Sequence, residues 1–165
     1  MVLGADFSRD GSKVATASSD KTARIWDAQT GALLATLQGH ERAVTFIVFS
    51  SDSTRVLTAS TDKSARVWDA KTGAPLATLS GYDRAVTRAE FSPDGKKIVT
   101  ASYDKTVRAW NADTGAPIAT FPTDGSEVQS AAFSPDSKRI VAASFDGLAQ
   151  IWGLAAVPAP AATPP

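Results

Sequence analysis

The chain has 165 residues, enough for one domain with a sizeable core, and its 17 basic and 17 acidic residues cancel, so the basic excess typical of nucleic-acid-binding proteins is absent. It contains no cysteine, which excludes disulfides and thiolate metal sites, and no apolar run approaches the ~18 residues of a membrane span. We therefore expect a cytoplasmic protein that binds neither nucleic acid nor membrane.

A unit of 42 residues is repeated four times along the chain. The step is marked by Trp26, Trp68, Trp110 and Trp152. Phe7-Ser8 returns in phase as Phe49-Ser50, Phe91-Ser92 and Phe133-Ser134, with no insertion or deletion in between. A fixed period of this size indicates one supersecondary unit stacked four times.

Within the second unit, polar turns separate four short apolar segments. The segment from Val44 to Ser50 is rich in Val, Ile, Thr and Phe, which favour strands, and Ser51 to Thr54 has turn chemistry. Pro75 lacks an N–H donor, so its strand belongs at an edge of the sheet. The predicted strands cover residues 44–50, 55–60, 64–68 and 75–79.

Units of four strands at this spacing are typical of β-propeller blades. No segment shows the 3.6-residue apolar period of a helical repeat. Val56 and Leu57 put apolar side chains on both faces of one strand, as expected for a blade packed between two neighbours. We predict an all-β chain of propeller blades, each of four antiparallel strands, with blades at about residues 1–38, 39–80, 81–122 and 123–153.

The fourth repeat departs from this pattern where its outer strand should begin. Pro158 and Pro160 cannot sustain a strand ladder. We expect blade four to lack its outer strand and residues 154–165 to form a flexible tail rich in Pro and Ala.

Several phrases of the repeat match a known family. Gly39-His40 is followed by Trp68-Asp69, and Phe91 to Gly95 reads FSPDG. Ala101 to Trp110 reads ASYDKTVRAW. In these phrases the chain resembles the WD40-repeat (G-beta-like) β-propeller family, in its bacterial form, over residues 1 to about 153. The resemblance implies a scaffold that binds other proteins.

The resemblance also implies a hydrogen-bonded network in each blade. In the second repeat, Asp62 would accept hydrogen bonds from His40 and from turn amides. His40 would then reach Ser60, and Ser60 the indole N–H of Trp68. The third repeat has Tyr82 and the fourth Asp124 in place of His40. The matching residues of the other repeats are Ser18, Asp20, Trp26, Ser102, Asp104, Trp110, Ser144, Asp146 and Trp152.

Two catalytic or metal interpretations of these residues are weaker than the structural one. A Ser-His-Asp triad would need an exposed nucleophile beside an oxyanion hole, and nothing in the sequence indicates one. The repeated aspartates suit turn capping better than Ca²⁺, which requires six or more oxygen ligands. With one histidine and no phosphate-binding glycine motif, we expect no catalytic residue, metal or cofactor.

Positions that differ between repeats are the candidates for partner binding. By the resemblance, partners bind the narrow top of the propeller, formed by the residue before each tight-turn aspartate and by the residues flanking the first-strand valine. Tyr103 and Phe145 replace Ser or Thr there, and exposed aromatic residues are frequent in interface hot spots. The full predicted set is Ser19, Thr61, Tyr103, Phe145, Ala43, Thr45, Ala85, Thr87, Glu127 and Gln129.

Four blades of this type span about half of the seven- or eight-bladed ring that is usual in the family. Two apolar blade faces would then be bare, which favours association. The chain is therefore expected to be a piece of a longer propeller, half of an eight-bladed homodimer, or a small four-bladed ring.

We predict a non-catalytic scaffold that binds a protein or peptide through its top face. The first alternative is a self-assembling half-propeller whose main partner is a second copy. The second is an enzyme with a site in the central funnel, for which Asp6, Glu90 and Glu127 are the available acids.

Overall fold

The computed structural model describes residues 1–123 and 125–154, which form four antiparallel sheets and, over those residues, no helix. Blade one comprises β1 (Val2–Phe7), β2 (Lys13–Ser18), β3 (Ala23–Asp27) and β4 (Leu33–Leu37). Blade two comprises β5 (Val44–Phe49), β6 (Arg55–Ser60), β7 (Ala65–Asp69) and β8 (Pro75–Leu79). Blade three comprises β9 (Val86–Phe91), β10 (Lys97–Ser102), β11 (Thr106–Asn111) and β12 (Pro117–Pro122). Blade four comprises β13 (Val128–Phe133), β14 (Arg139–Ser144) and β15 (Ala149–Gly153).

The strands of each blade pair in sequence order, as the all-β prediction requires. The predicted strands of blade two agree with β5 to β8 to within one residue at each end. Pro75 opens the outermost strand, where its missing N–H breaks no ladder. Blade four has three strands over the described residues, and the predicted tail lies outside them except for Leu154.

Side chains of the turns explain why the strands end where they do. In blade two, Asp52 Oδ1 accepts the Ser50 hydroxyl at 2.6 Å and the Thr54 amide at 3.0 Å. The Ser50 hydroxyl is the main cause that lowers the pKa of Asp52 to about 2. These carboxylates are therefore used to close turns, which is the role that the sequence favoured for them.

The core consists of layers between successive blades. Trp68 of blade two is fully buried with Ile25 and Leu37 of blade one. At each of the three blade boundaries, the tryptophan face of one blade therefore packs on the opposite face of the preceding blade. This arrangement explains why strands such as β6 are apolar on both sides.

The four sheets do not close into a ring, and no described residue covers the outer face of blade one or of blade four. On blade one the tryptophan face is exposed, since Phe7 is 64% exposed whereas its equivalent Phe91 is 7% exposed. On blade four the opposite face is exposed, since Ile151 is 67% exposed whereas its equivalent Ile25 is fully buried. We call these surfaces the blade-one face and the blade-four face.

Candidate partner-binding face

A tight turn joins the second and third strands of every blade. In blade two, the Ser64 amide donates to Asp62 Oδ1 at 3.0 Å, and in blade three the Thr106 amide donates to Asp104 Oδ1 at 3.0 Å. The residue after the aspartate has a positive φ, which is 70° at Lys63 and 69° at Lys105. The residue before the aspartate consequently lies at the tip of the blade edge.

The two predicted sets of binding residues meet at this edge. The amides of the turn residues donate to the carbonyls of the residues that precede the inner strands. These pairs are Thr61 with Ala43 at 3.1 Å, Tyr103 with Ala85 at 3.0 Å and Phe145 with Glu127 at 3.1 Å. Ser19 pairs in the same way with Met1 at 2.9 Å. We call this edge of the four blades the top face.

The polar residues on the other side of the first-strand valine differ in their availability. The Thr87 hydroxyl lies 3.0 Å from both the Ala101 and the Val128 carbonyls, so it joins blades three and four. Thr45 has one long contact, 3.5 Å from its hydroxyl to the Ala59 carbonyl. Gln129 is exposed. Of the three, Thr87 is the least available to a partner.

Tyr103 and Phe145 pack against each other across the boundary between blades three and four. Their ring centroids are 5.9 Å apart with the planes tilted by 52°, and Phe145 remains 53% exposed. Arg84 stacks over Tyr103 at 6.0 Å and forms an ion pair with Glu127. We call Arg84, Tyr103, Glu127 and Phe145 the top-face patch.

Arg84 is the member of this patch that the sequence analysis did not single out. Its counterpart one repeat earlier is Arg42. At that boundary, Thr61 is the counterpart of Tyr103, and Ala85 is the counterpart of Glu127. Because the same arginine occurs in two repeats, the repeat pattern indicates a structural role for it and does not identify it as a partner-binding residue. The signal lay in the neighbouring positions, which differ between the repeats.

Below the top face, the predicted network is present around Trp68 but follows another route. His40 Nδ1 lies 2.7 Å from Asp62 Oδ2, while His40 Nε2 lies 2.8 Å from Thr58 Oγ1. The Trp68 indole N–H donates to that same Thr58 oxygen at 2.9 Å. The expected relay through Ser60 is therefore wrong, because Ser60 stands at the strand end and donates to the Ala43 carbonyl at 2.8 Å.

Blade three builds the same network with a tyrosine. The Tyr82 hydroxyl contacts Thr100 Oγ1, and the Trp110 indole donates to that oxygen at 3.0 Å. Burial raises the pKa of Tyr82, so the phenol stays neutral. In blade one, the Trp26 indole donates to Thr16 at 2.9 Å. The sequence showed this threonine in three repeats and Ala142 in the fourth.

The remaining network residues support the top-face turns. The Ser18 hydroxyl donates to the Met1 carbonyl at 3.1 Å and the Ser102 hydroxyl to the Ala85 carbonyl at 3.0 Å. In blade four, Asp146 accepts the Leu148 amide at 3.1 Å, and the Ser144 amide donates to the Leu148 carbonyl at 3.0 Å. Trp152 packs against Phe121, with centroids 5.5 Å apart. Asp124 lies outside the described residues.

The electrostatics of Asp62 fit this structural role. Burial raises its pKa, but hydrogen bonds from His40 and Ser64 outweigh burial and hold the pKa well below its usual range. Both oxygens are engaged, since Oδ2 also accepts the Glu41 amide at 3.0 Å. Within the described residues, no three His, Asp or Glu side chains gather as a metal ion requires.

The acids considered for a central funnel site have other partners or surroundings. Asp6 and Glu90 line one open cavity of about 300 Å³, together with Phe49. Asp6 accepts the Phe49 amide at 2.8 Å, whereas Glu127 is paired with Arg84 on the top face. Burial raises the pKa of Glu90, and nearby Arg88 partly offsets the effect. The structure thus brings two of the three acids together.

The comparison with known families agrees with this architecture. The family model described as WD domain, G-beta repeat, matches residues 1–27, 31–69, 73–111 and 115–153. No curated protein matches the chain. Over the described residues, no helix has the length and apolar character needed to cross a membrane.

Proposed function

Because the chain belongs to the WD40 repeat family, we propose that it is a non-catalytic scaffold that binds a protein or peptide through the top face of blades three and four. The observation that carries this proposal is the top-face patch, in which an exposed phenylalanine packs on a half-buried tyrosine beside an arginine and a glutamate. Aromatic residues and arginine are enriched among interface hot spots.

The geometry of the patch favours a partner segment with an apolar anchor flanked by charge. Phe145 and Tyr103 offer an apolar surface on turns whose backbone is already fixed by hydrogen bonds. A rigid surface loses little conformational entropy when a partner binds. Glu127 and Arg84 lie at its side and are paired with each other, so a charged partner residue would exchange one ion pair for another.

Selection from a displayed library of random peptides tests this function. Peptides selected on the intact chain should bind a Tyr103→Ala/Phe145→Ala double variant at least about tenfold more weakly, as expected for two hot-spot residues. The control is a Leu34→Ala/Leu76→Ala variant, which removes two exposed apolar side chains from outer strands and should leave affinity unchanged. Equal affinity for the double variant and the intact chain would place binding elsewhere.

A second candidate function is self-association, which the two bare faces favour. The blade-one face exposes Phe7 and the blade-four face exposes Ile151, although their equivalents in the other blades are buried. Exposed apolar sheets of this kind are typical of association surfaces. The sedimentation mass of the 165-residue chain tests this candidate, since a dimer is expected and a monomer at all concentrations contradicts it.

A cytoplasmic location is part of the same proposal. The chain has 165 residues and no cysteine, a composition compatible with a reducing compartment. Cell fractionation tests it, and recovery in a membrane or secreted fraction would contradict it.

A further inference from the structure

The boundary between blades two and three contains an arginine clamp. Arg55 Nη1 donates to the Ala112 carbonyl at 3.0 Å, and Arg55 Nη2 donates to the Gly95 carbonyl at 2.9 Å. Arg55 Nη1 also lies 2.9 Å from Asp113 Oδ1, and the guanidinium stacks over Phe91 at 5.2 Å. Blade three thus provides a receptor for a guanidinium, made of two carbonyls, one side-chain oxygen and one ring.

Blade one carries an unfilled copy of this receptor. A cavity of about 370 Å³ is lined by Phe7, Gly11, Ala28 and Gln29, which are the equivalents of the four clamp residues of blade three. Its backbone is already in the receiving conformation, since φ is +70° at both Gly11 and Gly95. Equivalent hydrogen bonds, from the Ala28 and the Ala112 amides, are both 3.0 Å long.

The charge of the blade-one cavity suits a cation. Asp10 and Asp27 also line it. The Ser8 hydroxyl is the main cause that lowers the pKa of Asp10, and the Thr30 amide does the same for Asp27, so both carboxylates are ionised at neutral pH. Gln29 supplies a side-chain oxygen where blade three has Asp113.

The arginine that matches this receptor is on blade four. Arg139 is the counterpart of Arg55, with Lys13 and Lys97 at the same position of blades one and three. Arg139 is exposed, and within the described residues its side chain has no hydrogen bond or ion pair. Arg139 lies on the blade-four face, where Val141 and Ile151 are also exposed.

The boundaries between blades alternate in type, which identifies the blade that Arg139 fits. At the boundary after blade one, the Ser53 hydroxyl of blade two accepts the Arg9 amide at 3.0 Å. At the boundary after blade three, the Ser137 hydroxyl of blade four accepts the Asp94 amide at 3.2 Å. Where blade two precedes, the next blade carries Gly95 and receives Arg55. Blade four carries an arginine like blade two, and blade one carries Gly11 like blade three.

We propose that Arg139 of one copy inserts into the Phe7–Gly11–Ala28–Gln29 cavity of a second copy, so that the blade-four face of each chain packs on the blade-one face of the other. This inference rests on the self-association proposed above and specifies its geometry. The contact is head to tail, and two such contacts related by a twofold axis unite two sets of four blades. An arginine suits this receptor because its planar fork carries two nitrogens that reach two separate carbonyls, whereas a lysine has a single nitrogen.

Sedimentation equilibrium of the full chain and three variants tests the clamp. Arg139→Ala and Phe7→Ala should each weaken dimerisation by about tenfold or more, since both side chains are exposed in the single chain and both belong to the proposed junction. Lys138→Ala, which removes the same charge from the adjacent exposed position, should dimerise like the unmodified chain. Near-UV circular dichroism verifies that each variant keeps its fold.

A mixing experiment distinguishes head-to-tail contact from contact between like faces. The Arg139→Ala chain keeps an intact cavity and the Phe7→Ala chain keeps an intact arginine, so a heterodimer has one complete junction. Their equimolar mixture should therefore dimerise more tightly than either variant alone, whereas contact between like faces predicts no such recovery.

The outcomes separate the clamp from the self-association on which it rests. A monomeric unmodified chain overturns both proposals. A dimer that Arg139→Ala and Lys138→Ala leave equally tight overturns the clamp and leaves self-association standing. A dimer weakened by Arg139→Ala but not recovered by mixing overturns the head-to-tail arrangement.

Discussion

Thr58 serves two side chains at once, because its hydroxyl lies within hydrogen-bond distance of both the His40 ring and the Trp68 indole. Replacing it by valine keeps the shape and leaves two buried groups without a partner. We expect Thr58→Val to lower the free energy of unfolding by about 1–3 kcal/mol, measured by urea denaturation.

The matched control for this change is Thr78→Val, at an exposed threonine of β8, which should alter stability by less than about 0.5 kcal/mol. Similar urea midpoints for the two variants would show that the network around Trp68 contributes nothing to stability.

The network shows how much of a site can be read from a repeat. His40, Asp62 and Trp68 were identified because the phrases that contain them match a family. The sequence does not show which hydroxyl connects them, because Ser60 and Thr58 are two positions apart on one strand and point to the same side. Only the register, which pairs Thr58 with Arg66 and Val56 with Trp68, decides which hydroxyl meets the indole.

Glu90 provides a pH-dependent test at a single residue. Burial raises its pKa, so the folded chain holds this proton more strongly than the unfolded chain does. Its contribution to stability is therefore complete at pH values below the ordinary pKa of glutamate and is lost as the pH rises through the raised value. We expect Glu90→Gln to gain stability relative to the unmodified chain between about pH 4 and pH 7.

Urea denaturation across that pH range provides the measurement, with Glu41→Gln at an exposed position as the control. A stability difference between Glu90→Gln and the unmodified chain that stays constant with pH would contradict burial of the charged form.

At the scale of elements, the turn between the third and fourth strands sets how closely blades approach. Gly31, Gly73 and Gly115 occupy the same turn with φ between +70° and +73°. A Cβ on Gly115 would lie 2.8 Å from the Ala77 Cβ of the preceding blade, whereas one on Gly31 would meet nothing within 4 Å. A side chain at any of the three glycines would strain the backbone because φ is positive, but the clash with the preceding blade differs between the sites.

We therefore expect Gly115→Ala to cost more stability than Gly31→Ala, by about 1–3 kcal/mol, because only the first change overpacks a blade boundary. The difference between the two urea midpoints measures this term directly. Equal losses at the two positions would mean that the blades can move apart at no cost.

Strand positions were predictable because their signals are local. Alternating apolar residues, the Ser-x-Asp turns and Pro75 each act within a few residues, and β5 to β8 appear where these patterns place them. The Arg84–Glu127 ion pair was not predictable in this way, since its partners are 43 residues apart and meet only after blades three and four have packed.

For the whole molecule, the number of repeats predicted four blades, which are confirmed, and the four sheets do not close into the small ring that was one of the alternatives. The bare faces followed from that count together with the apolar character of every blade. The fit between Arg139 and the blade-one cavity could not be predicted from the number of repeats. It depends on the positions of backbone carbonyls, which are seen only when the Arg55 clamp is compared with its counterpart in blade one.

Binding of a peptide by the top face of blades three and four can be observed residue by residue in solution. The most direct test is an amide chemical-shift map of the 17.2 kDa chain, titrated with a peptide from the library selection. We expect the largest shifts at Arg84, Tyr103, Glu127 and Phe145. If the largest shifts occurred instead around the cavity lined by Asp6 and Glu90, and the top-face patch were unchanged, binding at the top face would be contradicted.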